Sequence, residues 1–472
     1  MAGFVGRRRE LESLARELDR VRAGIGGEEP GRCLFIRGRR RVGKSRLLEV
    51  FIQRAEVPSV FFAASRQATG EVQLFAEEVL RSTLPDRDRF AGVTFDNWDA
   101  ALRQLGAILP SDTASVVVID EFPYLIEDDK TIEATLQKAW DRLLKKKPVL
   151  LALVGSDLHM MEMLDSYDRP LHLRGTAMRI DPLSPVEGAQ IVGADDAAAA
   201  IDAHLVTGGL PLVCDEWPSG LGLWEYLEAA LAEPTSALIV SGERAVNAEF
   251  PPDALARTVL TQIGAGEMTF TNIARAAGGL QNASASRALE QLMAKSVVTK
   301  ITPLSTKPSS ESRYFVEDPY LRFWLRFIEP NMQQIERGRG DLVLEKIRES
   351  WRDWRGRAVE PLVRESLRRL IPLDIDPAAK EIGGYWTRSN HPEVDIVGAD
   401  RGPIAKSIKF LGLIKWYEDR TVTDRDLAEL RKVIDDIPGA KEKTPLMIVS
   451  RTEVEADGAD AVFRPEDLLG AW

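Results

Sequence analysis

Cysteine is nearly missing from this chain: only Cys33 and Cys214 occur in 472 residues. That excludes a disulfide framework and a cysteine-rich zinc site, and it fits a reducing cytosol, so a cytoplasmic location is expected. Histidine is scarce as well. His159, His172, His204 and His391 are scattered without ligand spacing and read as structural or surface groups. Long hydrophobic runs are lacking. The longest, near Val149 to Val154, is far too short to cross a bilayer, and the N-terminus has no apolar signal core. A membrane is therefore not an expected partner. Positive charge is not in excess, since 62 Lys and Arg face 73 Asp and Glu for a formal net charge of -11. This excludes a uniformly basic, nucleic-acid-coating surface but leaves a local basic face open. Repeats and low-complexity tracts are also absent. What remains, 44% apolar and 29% charged residues, has the composition of globular protein, and 472 residues imply two to four domains.

The most informative stretch runs from Cys33 to Ser45. A short apolar run (Cys33, Leu34, Phe35, Ile36) feeds Gly38-Arg39-Arg40-Arg41-Val42-Gly43-Lys44-Ser45, and an amphipathic run with Leu47, Leu48, Val50 and Phe51 follows Arg46. This fits G-x-x-x-x-G-K-[ST], the phosphate-binding loop. Glycines at 38 and 43 let the backbone curl so that its N–H groups converge on a phosphate. Lys44 supplies a point charge for the β- and γ-phosphates, and the Ser45 hydroxyl can ligate Mg²⁺. A helix beginning near Gly43 directs its positive end at the same anion. Residues 38–46 are thus the expected nucleotide-binding set, with ATP and Mg²⁺ as the expected ligands.

A second stretch supports the first. Ser115-Val116-Val117-Val118-Ile119-Asp120-Glu121 is a buried-strand pattern ending in two carboxylates, as in a Walker B segment. Asp120 would hold the metal and Glu121 would polarise the attacking water. Further strands are expected at Ser59–Ala63, Pro148–Ser156 and Met178–Ile180, separated by helical stretches. Continuous apolar runs of this kind mean a parallel sheet covered on both faces, with one strand expected between the two catalytic ones. Ser156 ends the fourth strand. It reads either as a polar sensor of the γ-phosphate or as a serine closing a strand at a turn.

Several segments resemble the archaeal-type ATPases, a family related to the STAND and AAA+ P-loop ATPases. They are Phe4-Val5-Gly6-Arg7-x-x-Glu10-Leu11, Asp120-Glu121-Phe122-Pro123-Tyr124-Leu125, and Gly155-Ser156-Asp157 with Met160, Met161 and Leu164. The segment Asp318-Pro319-Tyr320-Leu321-Arg322-Phe323-Trp324 with Phe327 belongs to the same likeness. In that family the first segment lies against the adenine. Where the family carries P-L-Y-G-R-R-T, this chain has Pro170-Leu171-His172-Leu173-Arg174-Gly175-Thr176, so its arginine is displaced. The resemblance makes Arg174 the candidate charge-sensing arginine and Thr207-Gly208-Gly209-Leu210-Pro211 the turn opening a helical lid.

After an Ala/Leu-rich helical stretch, helices near Leu255–Ile263, Thr271–Ala277 and Ser284–Leu292 precede strands Val297–Ile301 and Arg313–Val316. This is the order of a winged helix. Ser284, Ser286 and Arg287 would enter a DNA major groove, or the module would only pack against protein. Further on, the resemblance implies a PD-(D/E)XK nuclease-like domain. There Glu360, Asp395 and Lys415 match the helical Glu, strand Asp and terminal Lys, but Leu413 stands where an acid is expected. Glu360 and Asp395, with Lys415, would form a second metal site.

The expected architecture is α/β: a P-loop domain over residues 1–215, a helical lid over 216–250, a winged helix over 251–330, a helical connector over 331–350 and a nuclease-like domain over 351–472. The expected function is a nucleotide-dependent switch with slow ATP hydrolysis, using Lys44, Glu121, Ser156 and Arg174. An ATP-gated nuclease and a DNA-binding regulator are the alternatives. Nucleic acid, DNA before RNA, a protein effector and a second copy of the chain are the candidate partners.

Overall fold

A computed structural model describes residues 4–66, 70–251 and 253–472. The chain divides after Pro182 into two units. In the first, strands β1 (Arg32–Arg37), β2 (Ser59–Ala63), β3 (Ser115–Asp120), β4 (Val149–Gly155) and β5 (Thr176–Arg179) form one parallel sheet in the order β2-β3-β4-β1-β5. β4 thus separates the phosphate-loop strand from the acidic strand, as expected. The apolar runs are continuous because the sheet is covered twice. Leu34, Ile36, Val116, Val118, Leu150, Ala152 and Val154 face helices Arg8–Ala23 and Lys44–Ala55. Their neighbours Cys33, Phe35, Val117, Ile119, Leu151 and Leu153 face the helices that follow β2 and β3. Side chains alternate across a strand, so an all-apolar strand requires two cores.

The second unit begins at Leu183, earlier than residue 215, because Val192, Ala203, Val206 and Val213 pack in one cluster with Leu227, Leu260 and Trp324. Helices Leu255–Ala265, Phe270–Ala276 and Asn282–Ala294 precede the antiparallel pair β6 (Val298–Ile301) and β7 (Arg313–Val316). Asp318 caps the next helix, its side chain accepting from the Leu321 N–H. Leu321, Phe323, Trp324 and Phe327 are all buried, as expected. One helix starts at Gly340 and runs unbroken to Ala358, so the expected boundary between connector and nuclease-like domain at residue 351 lies inside it. It stops where Pro361, near the start of the next helix, offers no N–H to continue the ladder.

Strand β9 (Glu393–Ala399) lies antiparallel between β8 (Glu381–Trp386) and β10 (Ile408–Lys415). The short β11 (Val422–Thr423) pairs with β13 (Val454–Glu455). β12 (Leu446–Ser450) and β14 (Ala461–Phe463) extend the main sheet in parallel, in the order β14-β12-β10-β9-β8. Helix Glu360–Arg369 packs on one face of this sheet through Leu362, Val363 and Leu367. Helix Asp424–Val433 packs on the other through Leu427 and Leu430.

Candidate nucleotide site

β1 ends at Arg37 and the chain turns through Gly38–Gly43 into helix Lys44–Ala55. Gly38 passes so close to the strand next door that a Cβ there would lie 2.3 Å from the Ile180 carbonyl oxygen. Gly43 has φ 88°, in the left-handed region that glycine adopts at no steric cost. No side chain caps the helix at Gly43, so its first N–H groups remain for an anion. Arg7 is buried and its Nη2 donates to the Val42 carbonyl at 2.6 Å, fixing the loop from the N-terminal segment. That contact ties the Phe4–Arg7 motif to the phosphate loop itself.

Lys44 is only 6% exposed, and its Nζ donates to the carbonyls of Gly38 at 2.8 Å and Arg39 at 3.1 Å. Burial lowers its pKa, while the Glu121 and Asp120 carboxylates raise it. Ser45 Oγ donates to Asp120 Oδ2, and Asp120 Oδ1 accepts from the Glu121 N–H at 2.9 Å. Glu121 has φ 51°, a conformation that a non-glycine residue seldom adopts. Its Oε2 accepts from Ser156 Oγ at 2.8 Å and from the Ser156 N–H at 3.3 Å. β3 and β4 are thus aligned so that lysine, hydroxyl, two carboxylates and Ser156 meet at their carboxyl ends. Arg174 stands apart from these contacts. It makes a forked pair with Asp141, with Nε 3.1 Å from both oxygens and Nη2 2.8 Å from Oδ2, and it donates to the His172 carbonyl.

The donor set fits a magnesium–nucleotide complex. The Ser45 hydroxyl and Asp120 carboxylate are close enough to share one hard cation, and Lys44 lies beside the loop that would receive the phosphates. Sequence reasoning placed Tyr124 in a motif but gave it no role, and it missed Arg66. The Tyr124 hydroxyl contacts Arg40, and the Arg66 guanidinium lies 4.9 Å from the Tyr124 ring centroid. The aromatic residue three positions after Glu121 was the only available signal.

In the second unit, Glu360 and Asp395 are brought together, but by a cation of the chain. Arg364 Nη2 donates to Glu360 Oε2 at 2.7 Å, and its Nε donates to the Asp395 main-chain carbonyl at 2.8 Å. Asp395 Oδ2 accepts from the Ile414 N–H at 2.8 Å. Lys415 Nζ is 4.0 Å from Asp426, and Leu413 is buried in an apolar cluster. Among the described residues no group of three or more His, Cys, Asp or Glu side chains is arranged to hold a metal. The residues here do not fit a divalent ion, because a guanidinium already engages the carboxylate. Arg287, the basic residue of the third helix, is exposed and donates to the Ala283 carbonyl at 3.3 Å.

Burial pushes the Glu360 carboxyl up to about 7; Arg364 pulls it down, and the Asp395 and Glu393 carboxylates add to the rise. The folded chain therefore takes up a proton between the ordinary value of 4.5 and about 7. The stabilisation is complete below that window and is lost as pH rises through it. Glu360→Gln cannot titrate, so its stability relative to wild type should improve from pH 5 to pH 8, by on the order of 1–2 kcal/mol. Urea midpoints at the two pH values measure this; a gap that does not change would refute the shift.

A parallel sheet with a lysine-bearing glycine loop after its first strand, and two carboxylates ending the third, defines a P-loop nucleotide-binding domain. Family comparison is narrower: residues 4–191 match the model of an ATPase domain found predominantly in Archaea. Residues 324–427 match a second family, described as archaeal and bacterial proteins of unknown function. An uncharacterized protein of Methanocaldococcus jannaschii is 24% identical over 475 residues, covering 98% of this chain and all of its own length. Among solved structures, a Walker-type ATPase of Pyrococcus abyssi shares 18% identity, with a TM-score of 0.47, over 68% of this chain and 96% of its own. The Aeropyrum pernix ORC2 protein, solved in ADPNP–ADP complexes, shares 15% identity with a TM-score of 0.43, over 74% of this chain and 96% of its own. Among the described residues no helix is long and apolar enough to cross a membrane.

Proposed function

We propose that the chain binds ATP with Mg²⁺ at residues 38–46 and Asp120, hydrolyses it slowly, and uses the nucleotide state to switch the conformation of its remaining domains. The observation that carries this reading is the meeting of Lys44, Ser45, Asp120, Glu121 and Ser156 at one end of the sheet. Loop N–H groups and Lys44 bind the phosphates, and the Ser45 hydroxyl and Asp120 would hold the metal, which would supply positive charge to the phosphates. Glu121 accepts the proton of the attacking water. Its present bond to Ser156 would orient the carboxylate, and that bond supports the sensor role for Ser156 over that of a simple strand end. The bidentate pairing of Arg174 with Asp141 favours a structural role for that arginine.

For the C-terminal domain, the helix–strand–strand–strand order and the Glu360–Asp395 juxtaposition support a nuclease-like descent. Arg364 between them supports a domain that binds rather than cuts. The helices and strands of 251–330 support a winged helix. With one exposed arginine on its third helix, this module reads better as a packing element than as a major-groove reader.

Glu121→Gln tests the central claim. ATP turnover should fall roughly 10²–10³-fold with ADP affinity kept, because the geometry survives and only the proton acceptor is removed. Turnover at the wild-type rate in that variant would sink the assignment.

A further inference from the structure

Arg40 sits in the middle of the phosphate loop, at a position the loop motif leaves open. Its Nη2 hydrogen-bonds the Tyr124 hydroxyl, and its Nε lies 3.4 Å from Ser156 Oγ. Ser156 Oγ in turn donates to Glu121 Oε2 at 2.8 Å. One hydroxyl therefore stands between the Arg40 guanidinium and the carboxylate assigned to activate water. Tyr124 is itself held. It lies in helix Phe122–Asp128 directly after Glu121, and its N–H bonds the Glu121 carbonyl at 2.9 Å. The Arg66 guanidinium lies 4.9 Å and that of Arg40 6.0 Å from its ring centroid. Arg40 is also close enough to Lys44 to act on its charge, as Asp120 and Glu121 do. Two other arginines near the sheet end are committed elsewhere: Arg7 holds the Val42 carbonyl and Arg174 holds Asp141.

We infer that Arg40 supplies, from within the same chain, the cation that offsets the charge developing on the γ-phosphate, and that Tyr124 is the positioning residue that keeps its guanidinium on the Glu121 side of the loop. The inference rests on the reading that this site hydrolyses ATP. In the step concerned, water oxygen bonds to the γ-phosphorus and the bond to the β,γ-bridging oxygen breaks, its electron pair leaving with ADP. One water proton passes to the Glu121 carboxylate, and the products are ADP and inorganic phosphate. Charge spreads over the γ-oxygens as that bond lengthens, and a preorganised guanidinium stabilises it without reorganising at the moment of reaction. A cation built into the loop needs no partner. A single chain should then be catalytically complete.

The test compares ATP turnover of wild type, Arg40→Ala, Arg40→Lys and Tyr124→Phe over a wide range of protein concentration, with ADP binding measured for each. Arg40→Ala should lose about a thousandfold in kcat while its ADP affinity drops by roughly tenfold at most. Arg40→Lys should recover part of the rate. Tyr124→Phe should lower kcat with KM nearly unchanged while its urea midpoint and ADP-binding stoichiometry stay at the wild-type values, which separates lost positioning from lost folded protein. Specific activity should not vary with concentration, and mixing Arg40→Ala with Lys44→Ala should rescue nothing. Wild-type turnover in Arg40→Ala would overturn the inference alone, as would activity that climbs with concentration and is rescued by mixing. Wild type without turnover would overturn the ATPase reading together with it.

Discussion

Lys44→Ala is expected to reduce ATP turnover by roughly 10²–10³-fold, the scale seen when one preorganised charge facing the transition state is removed. Lys44 is 6% exposed and its ammonium is held by two carbonyls of its own loop, Gly38 at 2.8 Å and Arg39 at 3.1 Å. An incoming phosphate exchanges those neutral acceptors for charged ones, so the lysine contributes binding as well as rate. Hydrogen bonds to charged groups contribute about 1.5–3 kcal/mol, so ADP affinity should fall by roughly 10–100-fold. Calorimetric titration with ADP and a phosphate-release assay measure the two losses separately. Affinity and turnover both unchanged would mean that the nucleotide does not lie on this loop.

The phosphate loop was legible in the sequence because its chemistry demands fixed residue types at fixed spacing, whatever surrounds it. β1 through β4 were legible because burial leaves continuous apolar runs such as Val116–Ile119 and Val149–Val154, whereas β5 is a short edge strand with largely exposed side chains. Contacts that join distant segments were not legible. Nothing local tells that Arg40 reaches Tyr124, or that Arg7 reaches Val42. The same is true of the second unit. Glu360 and Asp395 could be singled out by pattern, yet Arg364, one helical turn beyond Glu360, is the residue that decides what those carboxylates can hold. Its spacing of four from Glu360 reads in a sequence as an ordinary surface pair. β12 and β14 are short: β12 finds its place by pairing with β10 across an intervening helix, and β14 by pairing with β12. The start of helix Gly340–Ala358 was obscured by its charge. Its buried side, with Val343, Leu344, Ile347 and Trp351, is narrow, and acidic and basic residues fill the remainder.

The largest stability effect outside the nucleotide site is expected at a residue with no signal in the sequence. Arg355 is fully buried in helix Gly340–Ala358, and its Nη1 lies 3.0 Å from Asp202 Oδ2 and 2.6 Å from Glu418 Oε1. Its Nη2 is 3.3 Å from the Trp416 carbonyl, and its guanidinium is 5.8 Å from the Trp351 ring centroid. Asp202 is 4% exposed and is shared with Arg451, whereas Glu418 is largely exposed and can turn to water. Removing the arginine therefore penalises Asp202 and the Trp416 carbonyl, not Glu418. Breaking a buried pair by deleting one partner costs about 3–5 kcal/mol, and the remaining Arg451 contact places Arg355→Ala toward the lower end. Arg355→Met combined with Asp202→Leu should recover most of that loss, since the uncompensated charge is removed along with its partner. Urea unfolding followed by tryptophan fluorescence tests both variants, because Trp351, Trp354 and Trp416 surround the pair. If the single variant unfolds at the wild-type midpoint, the buried network adds nothing to stability. If the double variant is worse than the sum of its parts, the charges are instead the element that fixes how this helix meets residues 202 and 416.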